Sequence, residues 1–135
     1  MSRLTVFLAR SIGLFSILLV VAFLVRGSTI IETTAADGPV MLAYAIISLA
    51  MGIAMILGHN VWSGGALPVV VTLVGWLILA KGLLLLFLAP EALSWLFEQM
   101  RYGEHHYLSL APAPALVIGL YLTWAGFTAP TSRQL

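Results

Sequence analysis

The chain contains 135 residues, of which 61% are hydrophobic and 8% charged, and its mean hydropathy is +1.09. An ordinary soluble domain carries about 25% charged residues, so these few charges cannot cover a water-facing surface, and the composition argues against a soluble fold. A net charge of +1 without any basic cluster argues against nucleic acid as a partner. The lack of cysteine excludes disulfides, thiolate metal sites and cysteine nucleophiles.

The first apolar run covers residues 4–25 and is long enough to cross a hydrocarbon core about 30 Å thick. A signal peptide is the competing interpretation, but the run after Arg10 is long for a signal core and Arg26 interrupts the approach to the supposed cleavage site. Arg10 lies about two turns inside the span, and helical side chains lean toward their own N-terminus. Arg10 can therefore snorkel to the nearer surface, or contact a lipid phosphate or the C-terminal end of the fourth span.

The second predicted span covers residues 40–57, after a Gly38-Pro39 helix start. Residues spaced alternately four and three apart place a mostly small, partly polar stripe on one face: Met41, Ala45, Ser48, Gly52, Met55 and His59. A second small row lies on another side: Ala50, Ala54 and Gly58. Helices in lipid approach each other through small residues, so the two rows predict a central helix that packs against neighbours on both sides. A pore lining is the alternative interpretation of the stripe.

The connection from Gly58 to Gly65 is short and rich in turn formers, so the second and third spans should form an antiparallel hairpin. His59 and Asn60 suit a helix end, because asparagine tolerates the left-handed conformation and histidine interacts well with the C-terminal dipole. A ligand or proton-relay role for this pair is the functional alternative, because His59 also ends the small stripe.

The third predicted span covers residues 67–89 and carries one charge, Lys81, within an otherwise apolar run. No Asp or Glu lies inside any predicted span, so hydroxyl groups at comparable depth are the available partners within the chain, chiefly those of Tyr44 and Ser48. Ionisable residues inside membranes mark functional or subunit-contact sites by default. We interpret Lys81 as the intramembrane charged candidate, with structural snorkelling as the alternative.

The region after the third span is too polar to cross a membrane. Residues 91–102 have the apolar spacing of a short amphipathic helix lying in the interface. Glu104, His105 and His106 follow, but adjacent histidines on an extended segment point in opposite directions, so we predict a polar loop and no metal site. The fourth predicted span covers residues 111–128 and has another small face.

These elements define the expected fold: an all-α integral membrane protein with four transmembrane helices in two antiparallel hairpins, plus one interfacial helix between the third and fourth. Both termini and the Gly58 to Gly65 turn then share one side, which holds Arg3, Arg10 and Arg133 and no acidic residue. Positive-inside counting places that side in the cytoplasm. We expect a multi-pass protein of a bacterial inner membrane.

No nucleotide loop, HExxH motif or nucleophile elbow is present. The leading hypothesis is therefore a non-enzymatic bundle without a cofactor that works by association, either as an accessory or assembly subunit of a larger membrane complex or as a homo-oligomer. Its partners would be the lipid bilayer and other membrane subunits or copies of itself. The alternative is a small-solute or ion transporter or channel that uses Lys81, and a third hypothesis is a lipid- or quinone-acting enzyme that uses Glu104, His105 and His106.

Overall fold

A computed structural model describes residues 1–26, 37–88 and 112–130. Within these ranges the chain forms four α-helices and no strand: α1 (Arg3–Arg26), α2 (Gly38–Gly58), α3 (Ala66–Phe87) and α4 (Ala113–Thr128). The all-helical prediction is confirmed for this part of the chain. The predicted interfacial helix at residues 91–102 lies outside the described residues.

The helix starts follow local chemistry. The hydroxyl oxygen of Ser2 accepts a hydrogen bond from the Thr5 amide at 3.1 Å, which satisfies one of the free N–H groups at the start of α1. Asp37 caps α2 in the same way, with its Oδ1 atom 3.2 Å from the Val40 amide, and Pro39 occupies the first turn as predicted. Before α3 the chain turns through Gly64 and Gly65, whose φ angles of 88° and 113° favour glycine.

Three of these helices, α1, α2 and α3, are long and apolar enough to cross a membrane, with 24, 21 and 22 residues. This finding indicates a membrane protein. α4 has 16 residues, so it rises only about 24 Å at 1.5 Å per residue, less than the hydrocarbon core of about 30 Å. The prediction of four spans is therefore confirmed for three helices, and α4 is shorter than predicted.

α2 and α3 form an antiparallel pair whose backbones touch at glycines. A Cβ atom added to Gly52 would lie 2.6 Å from the Leu79 Cα, and one added to Gly82 would lie 2.6 Å from the Leu49 amide nitrogen. Real Cβ atoms essentially never come that close to backbone. The hairpin predicted for these helices is thus present, and it depends on the missing side chains of two glycines.

α1 and α4 form the second antiparallel pair, also through glycine. A Cβ atom on Gly13 would lie 2.6 Å from the Thr123 amide nitrogen and 2.9 Å from the Gly119 carbonyl oxygen. Near the other end of α4, a Cβ atom on Gly126 would lie 3.1 Å from the Cγ atom of Arg10. The small face predicted for the fourth span therefore packs on the first helix.

One buried hydrophobic cluster joins the two pairs and contains residues from all four helices: Ala9, Met55, Leu67, Val71 and Leu122. α3 contacts each of the other three helices, whereas the extensive contacts of α2 are with α3. Met1 lies beside Gly65, and Arg10 lies beside Gly126. The start of α1, the α2–α3 turn and the end of α4 thus share one end of the bundle, which we call the turn end.

Two predictions about packing need correction. The arrangement of two sequential hairpins is not confirmed, because α1 packs along α4 and α2 packs along α3. The prediction that α2 is the central helix is wrong. Its stripe is buried against α3, but its second small row, Ala50, Ala54 and Gly58, is exposed. α3 is the helix with neighbours on several sides, because its bulkier valine and leucine side chains fill the space between the pairs.

We expect Gly82→Ala to lower the free energy of unfolding by about 1–3 kcal/mol, since overpacking a tight contact forces backbone shifts. Gly58→Ala is the matched control, because a Cβ atom there meets nothing within 4 Å. Unfolding by SDS titration from mild detergent, followed by circular dichroism, measures both changes. Equal stability of the two variants would contradict the proposed backbone contact.

Candidate functional site

Lys81 and Tyr44 meet on the flank of the α2–α3 pair. The Lys81 Nζ atom donates a hydrogen bond to the Tyr44 hydroxyl at 2.8 Å and lies 4.4 Å from the centre of the Tyr44 ring. The ring face attracts the ammonium group electrostatically, in addition to the hydrogen bond. The structure therefore brings together the charged candidate and one of the two partners suggested by the sequence.

Both side chains of this pair remain exposed. Tyr44 is 44% exposed, and Lys81 is also in the exposed class. Lys81 lies six residues before the end of α3, and Tyr44 lies six residues after the start of α2, which places each Cα atom about 9 Å inside the helix end. The pair is thus an exposed polar site within the apolar length of two helices.

Lys81 also continues a row of packing residues on α3, because Val70, Val74 and Ile78 precede it at spacings of four, four and three. All three pack against the cluster that joins the helix pairs. Lys81 is the next position of the row and is exposed. On this face of α3, the residues nearer the turn end pack against the cluster. Lys81 lies farther from the turn end on the same face and is exposed.

Ser48, the second suggested partner of Lys81, has a different environment. It is 5% exposed, and a Cβ atom added to Gly82 would lie 3.1 Å from its carbonyl carbon. Ser48 belongs to the buried stripe where α2 meets α3, together with Ala45, Gly52 and Met55. The stripe is confirmed as a packing face.

His59 is buried at the opposite end of α2, with 3% of its surface exposed. Its backbone amide donates to the Met55 carbonyl at 2.6 Å, and its Nε2 atom lies 3.3 Å from the Pro68 carbonyl oxygen. A hydrogen bond to that carbonyl requires the Nε2 atom to carry the proton. His59 therefore links the end of α2 to the first turn of α3, which is the structural interpretation of this residue.

Asn60 does not have the predicted left-handed conformation, because no non-glycine residue in the described ranges has a positive φ angle. That prediction is wrong. The chain instead leaves α2 through His59 in an extended conformation, at φ −150° and ψ 88°, and the left-handed positions fall on Gly64 and Gly65. The Asn60 side-chain oxygen accepts a hydrogen bond from the Trp62 indole at 2.7 Å.

Thr72 is a structural residue of this turn that the sequence reasoning missed. Its hydroxyl donates to the Val61 carbonyl and accepts from the Val61 amide, both at 3.0 Å, and only 1% of the residue is exposed. The non-helical Val61 has backbone groups without a helical partner, and Thr72 supplies both. A threonine nearly two turns inside an apolar helix that follows a polar turn was the available signal.

Arg10 contacts the end of α4, which is one of the interpretations left open by the sequence. Its Nε atom donates to the Gly126 carbonyl at 2.8 Å, and its guanidinium carbon lies 4.7 Å above the centre of the Phe127 ring. The cation therefore lies at the negative end of the α4 dipole. The structure separates the two embedded cations, since Arg10 is near the turn end and Lys81 toward the opposite end.

Pro130 explains why the Gly126 carbonyl needs this donor. In a continuing helix this carbonyl would accept from the amide four residues later, but that residue is a proline and has no N–H group. Arg10 provides the missing hydrogen bond from α1. The sequence left this contact of Arg10 open as one interpretation, but it did not connect the contact with Pro130.

The remaining candidates, Glu104, His105 and His106, lie outside the described residues. Across residues 1–26, 37–88 and 112–130, no group of three or more His, Asp or Glu side chains could hold a metal ion. Comparison with protein families, with curated proteins and with solved structures finds no match for this chain. The described site is thus defined by its own geometry: an exposed lysine–tyrosine pair within the apolar helices of a membrane protein.

We expect Thr72→Val to destabilise the α2–α3 turn, because the change keeps the side-chain shape but leaves the Val61 amide and carbonyl unpaired. Each lost hydrogen bond costs about 0.5–1.5 kcal/mol, so amide hydrogen exchange at residues 59–63 should accelerate by roughly tenfold or more. Thr128→Val is the matched control, since that hydroxyl is exposed and bonds to the Trp124 carbonyl. Unchanged exchange in Thr72→Val would contradict the assigned role.

Proposed function

We propose that this protein acts by association in the membrane, as an accessory or assembly subunit of a larger complex or as a homo-oligomer, with Lys81 at the contact. The observation that carries the proposal is the exposure of Lys81 and Tyr44 within the apolar part of α2 and α3. A charge that served only internal packing would be buried between the helices. This one is available to a neighbour.

The hydrogen-bonding capacity of Lys81 supports the same proposal. An ammonium group has three donors, and the Tyr44 hydroxyl accepts one of them. α1, α2, α3 and α4 contain no Asp or Glu, so these helices offer no carboxylate to neutralise the charge. A lysine at the centre of a membrane helix costs roughly 2.5–3.5 kcal/mol on insertion scales, which a carboxylate from another subunit would offset.

The outer surface of α2 fits association as well. Ala50, Ala54 and Gly58 are exposed on this helix, and small residues allow another helix to approach closely. This row supports the proposal only together with Lys81, since small residues alone can also face lipid. We propose an acidic partner helix that contacts the α2–α3 pair where Lys81 and Tyr44 are exposed.

The bundle would sit in a bacterial inner membrane with its turn end in the cytoplasm. In this arrangement α4 serves as a fourth, shorter crossing. The support is the charge pattern: residues 1–26 and 112–130 carry Arg3 and Arg10 at the turn end and no acidic residue. Positive-inside counting favours the cytoplasm for such a side.

A transporter or channel that uses Lys81 is the alternative. It would need Tyr44, Ser48 and His59 along one route, but His59 lies fifteen residues from Tyr44, about 22 Å along α2. Between them Ser48 is buried against the backbone of α3. We favour association because Tyr44, Ser48 and His59 do not line one route and because the charged Lys81 is exposed.

We expect the protein purified in mild detergent to form a discrete oligomer or to retain a partner, and we expect Lys81→Leu to shift it toward the monomer. Light scattering after size exclusion measures the mass, and Lys81→Arg is the matched control that keeps the cation. A strictly monomeric wild-type particle without a partner would rule out the proposed association. If Lys81→Leu associates as well as wild type, Lys81 is not the contact.

Flux measurements separate the alternative function. Wild type and Lys81→Leu in liposomes should show no difference in ion or small-anion flux under the association hypothesis, because Lys81 then contacts protein. A flux that wild type supports and Lys81→Leu loses would favour the transporter.

A further inference from the structure

We propose that Arg10 forms a binding site for the phosphate of an anionic phospholipid, at the turn end of the α1–α4 pair. This site is separate from Lys81 and goes beyond the proposed association. Three features of Arg10 support this site: the contacts that hold its side chain, the nitrogen atom that donates to Gly126, and its position near a helix end.

Three contacts hold the Arg10 side chain. The Cγ atom of its stem lies against Gly126, where an added Cβ atom would lie 3.1 Å from it. Its Nε atom is fixed by the Gly126 carbonyl at 2.8 Å, and its guanidinium lies over the Phe127 ring. A flexible snorkelling arginine would lose side-chain entropy on binding an anion, whereas much of that entropy is already lost here.

The internal hydrogen bond of Arg10 comes from its Nε atom. We assign the edge formed by the two terminal nitrogens to the lipid phosphate. An arginine has five N–H donors, and the two terminal nitrogens fit the oxygens of a phosphate in a bidentate arrangement. The bond to the Gly126 carbonyl uses Nε and neither of the terminal nitrogens. Lysine has no equivalent geometry, because its ammonium group is a point charge.

The level of the group matches lipid headgroups. Gly126 lies two residues before the end of α4, about 3 Å from the helix end, and the Arg10 side chain leans toward the start of α1. Arg3 lies seven residues earlier on the same helix face. Residues 1–26 and 112–130 contain no Asp or Glu, so the surroundings favour an anionic lipid over a zwitterionic one.

The test places a fluorescent reporter against Arg10 in the full chain. Trp62, Trp76, Trp95 and Trp124 are changed to Phe, and Phe127→Trp introduces the reporter, which keeps the stacking because an indole is the best cation–π partner. Nanodiscs then carry brominated phosphatidylglycerol or brominated phosphatidylcholine at equal mole fractions. Quenching of the reporter measures which lipid occupies the site, and circular dichroism verifies the helix content of each chain.

We expect phosphatidylglycerol to be preferred by about three- to tenfold, because both lipids offer a phosphate to the guanidinium but only phosphatidylcholine brings a cationic choline near Arg10 and Arg3. Arg10→Gln should abolish the preference, and Arg10→Lys should lose most of it because the fixed fork is absent. Arg26→Gln, the matched removal of one arginine at the opposite end of α1, should leave it unchanged.

Equal quenching by the two lipids in the reporter chain, which keeps Arg10, would overturn the proposal. This outcome does not depend on whether the Arg10 variants fold. A preference retained in Arg10→Gln, or retained in full in Arg10→Lys, would also overturn it. Excess inorganic phosphate should not compete, since we assign the site to a lipid. Relief of phosphatidylglycerol quenching by inorganic phosphate would show a site for the free anion and overturn the lipid assignment.

Discussion

Close contact between helix backbones is the constraint on which the rest of this structure depends. Lipid tails are as apolar as leucine, so burial of apolar surface gives little drive for helices to associate in a membrane. Gly52 and Gly82 let α2 and α3 touch, and Gly13 and Gly119 do the same for α1 and α4. Two pairs result, and α3 joins them through one shared cluster.

The two embedded cations are accommodated in different ways. Arg10 reaches a carbonyl at the end of α4, where the helix dipole and a missing amide make a cation favourable. Lys81 meets the phenol of Tyr44 instead. Arg10 is consequently part of the internal structure, whereas Lys81 keeps hydrogen-bonding capacity for a group outside the four helices.

The sequence predicted the features that depend on local spacing. The three long helices, the buried stripe of α2 and the hairpin between α2 and α3 all follow from hydropathy, periodicity and turn chemistry. The pairing of helices that are distant in the chain could not be predicted in this way. Small residues occur on several faces, and each face is compatible with lipid or protein. The exposed row Ala50, Ala54 and Gly58 shows this ambiguity directly.

The site was predictable in part for the same reason. Depth in the membrane, counted along the helices, was enough to suggest Tyr44 and Ser48 as partners of Lys81. The choice between the two depends on the rotation of each helix about its axis, which depth does not give. Asn60 was assigned a left-handed conformation from residue preference, whereas two adjacent glycines later in the turn took that role. Thr72 and Pro130 were missed because their importance depends on backbone groups of another segment.

The bond between Arg10 and Gly126 has a consequence for biogenesis. α2 and α3 are consecutive and can pair as soon as both have entered the membrane, but α1 pairs with α4, which is synthesised much later. During this interval the guanidinium of Arg10 lacks its carbonyl, and α4 later forms with a carbonyl that its own backbone cannot satisfy. The α1–α4 contact therefore closes the bundle last, and each helix supplies the polar group that the other lacks.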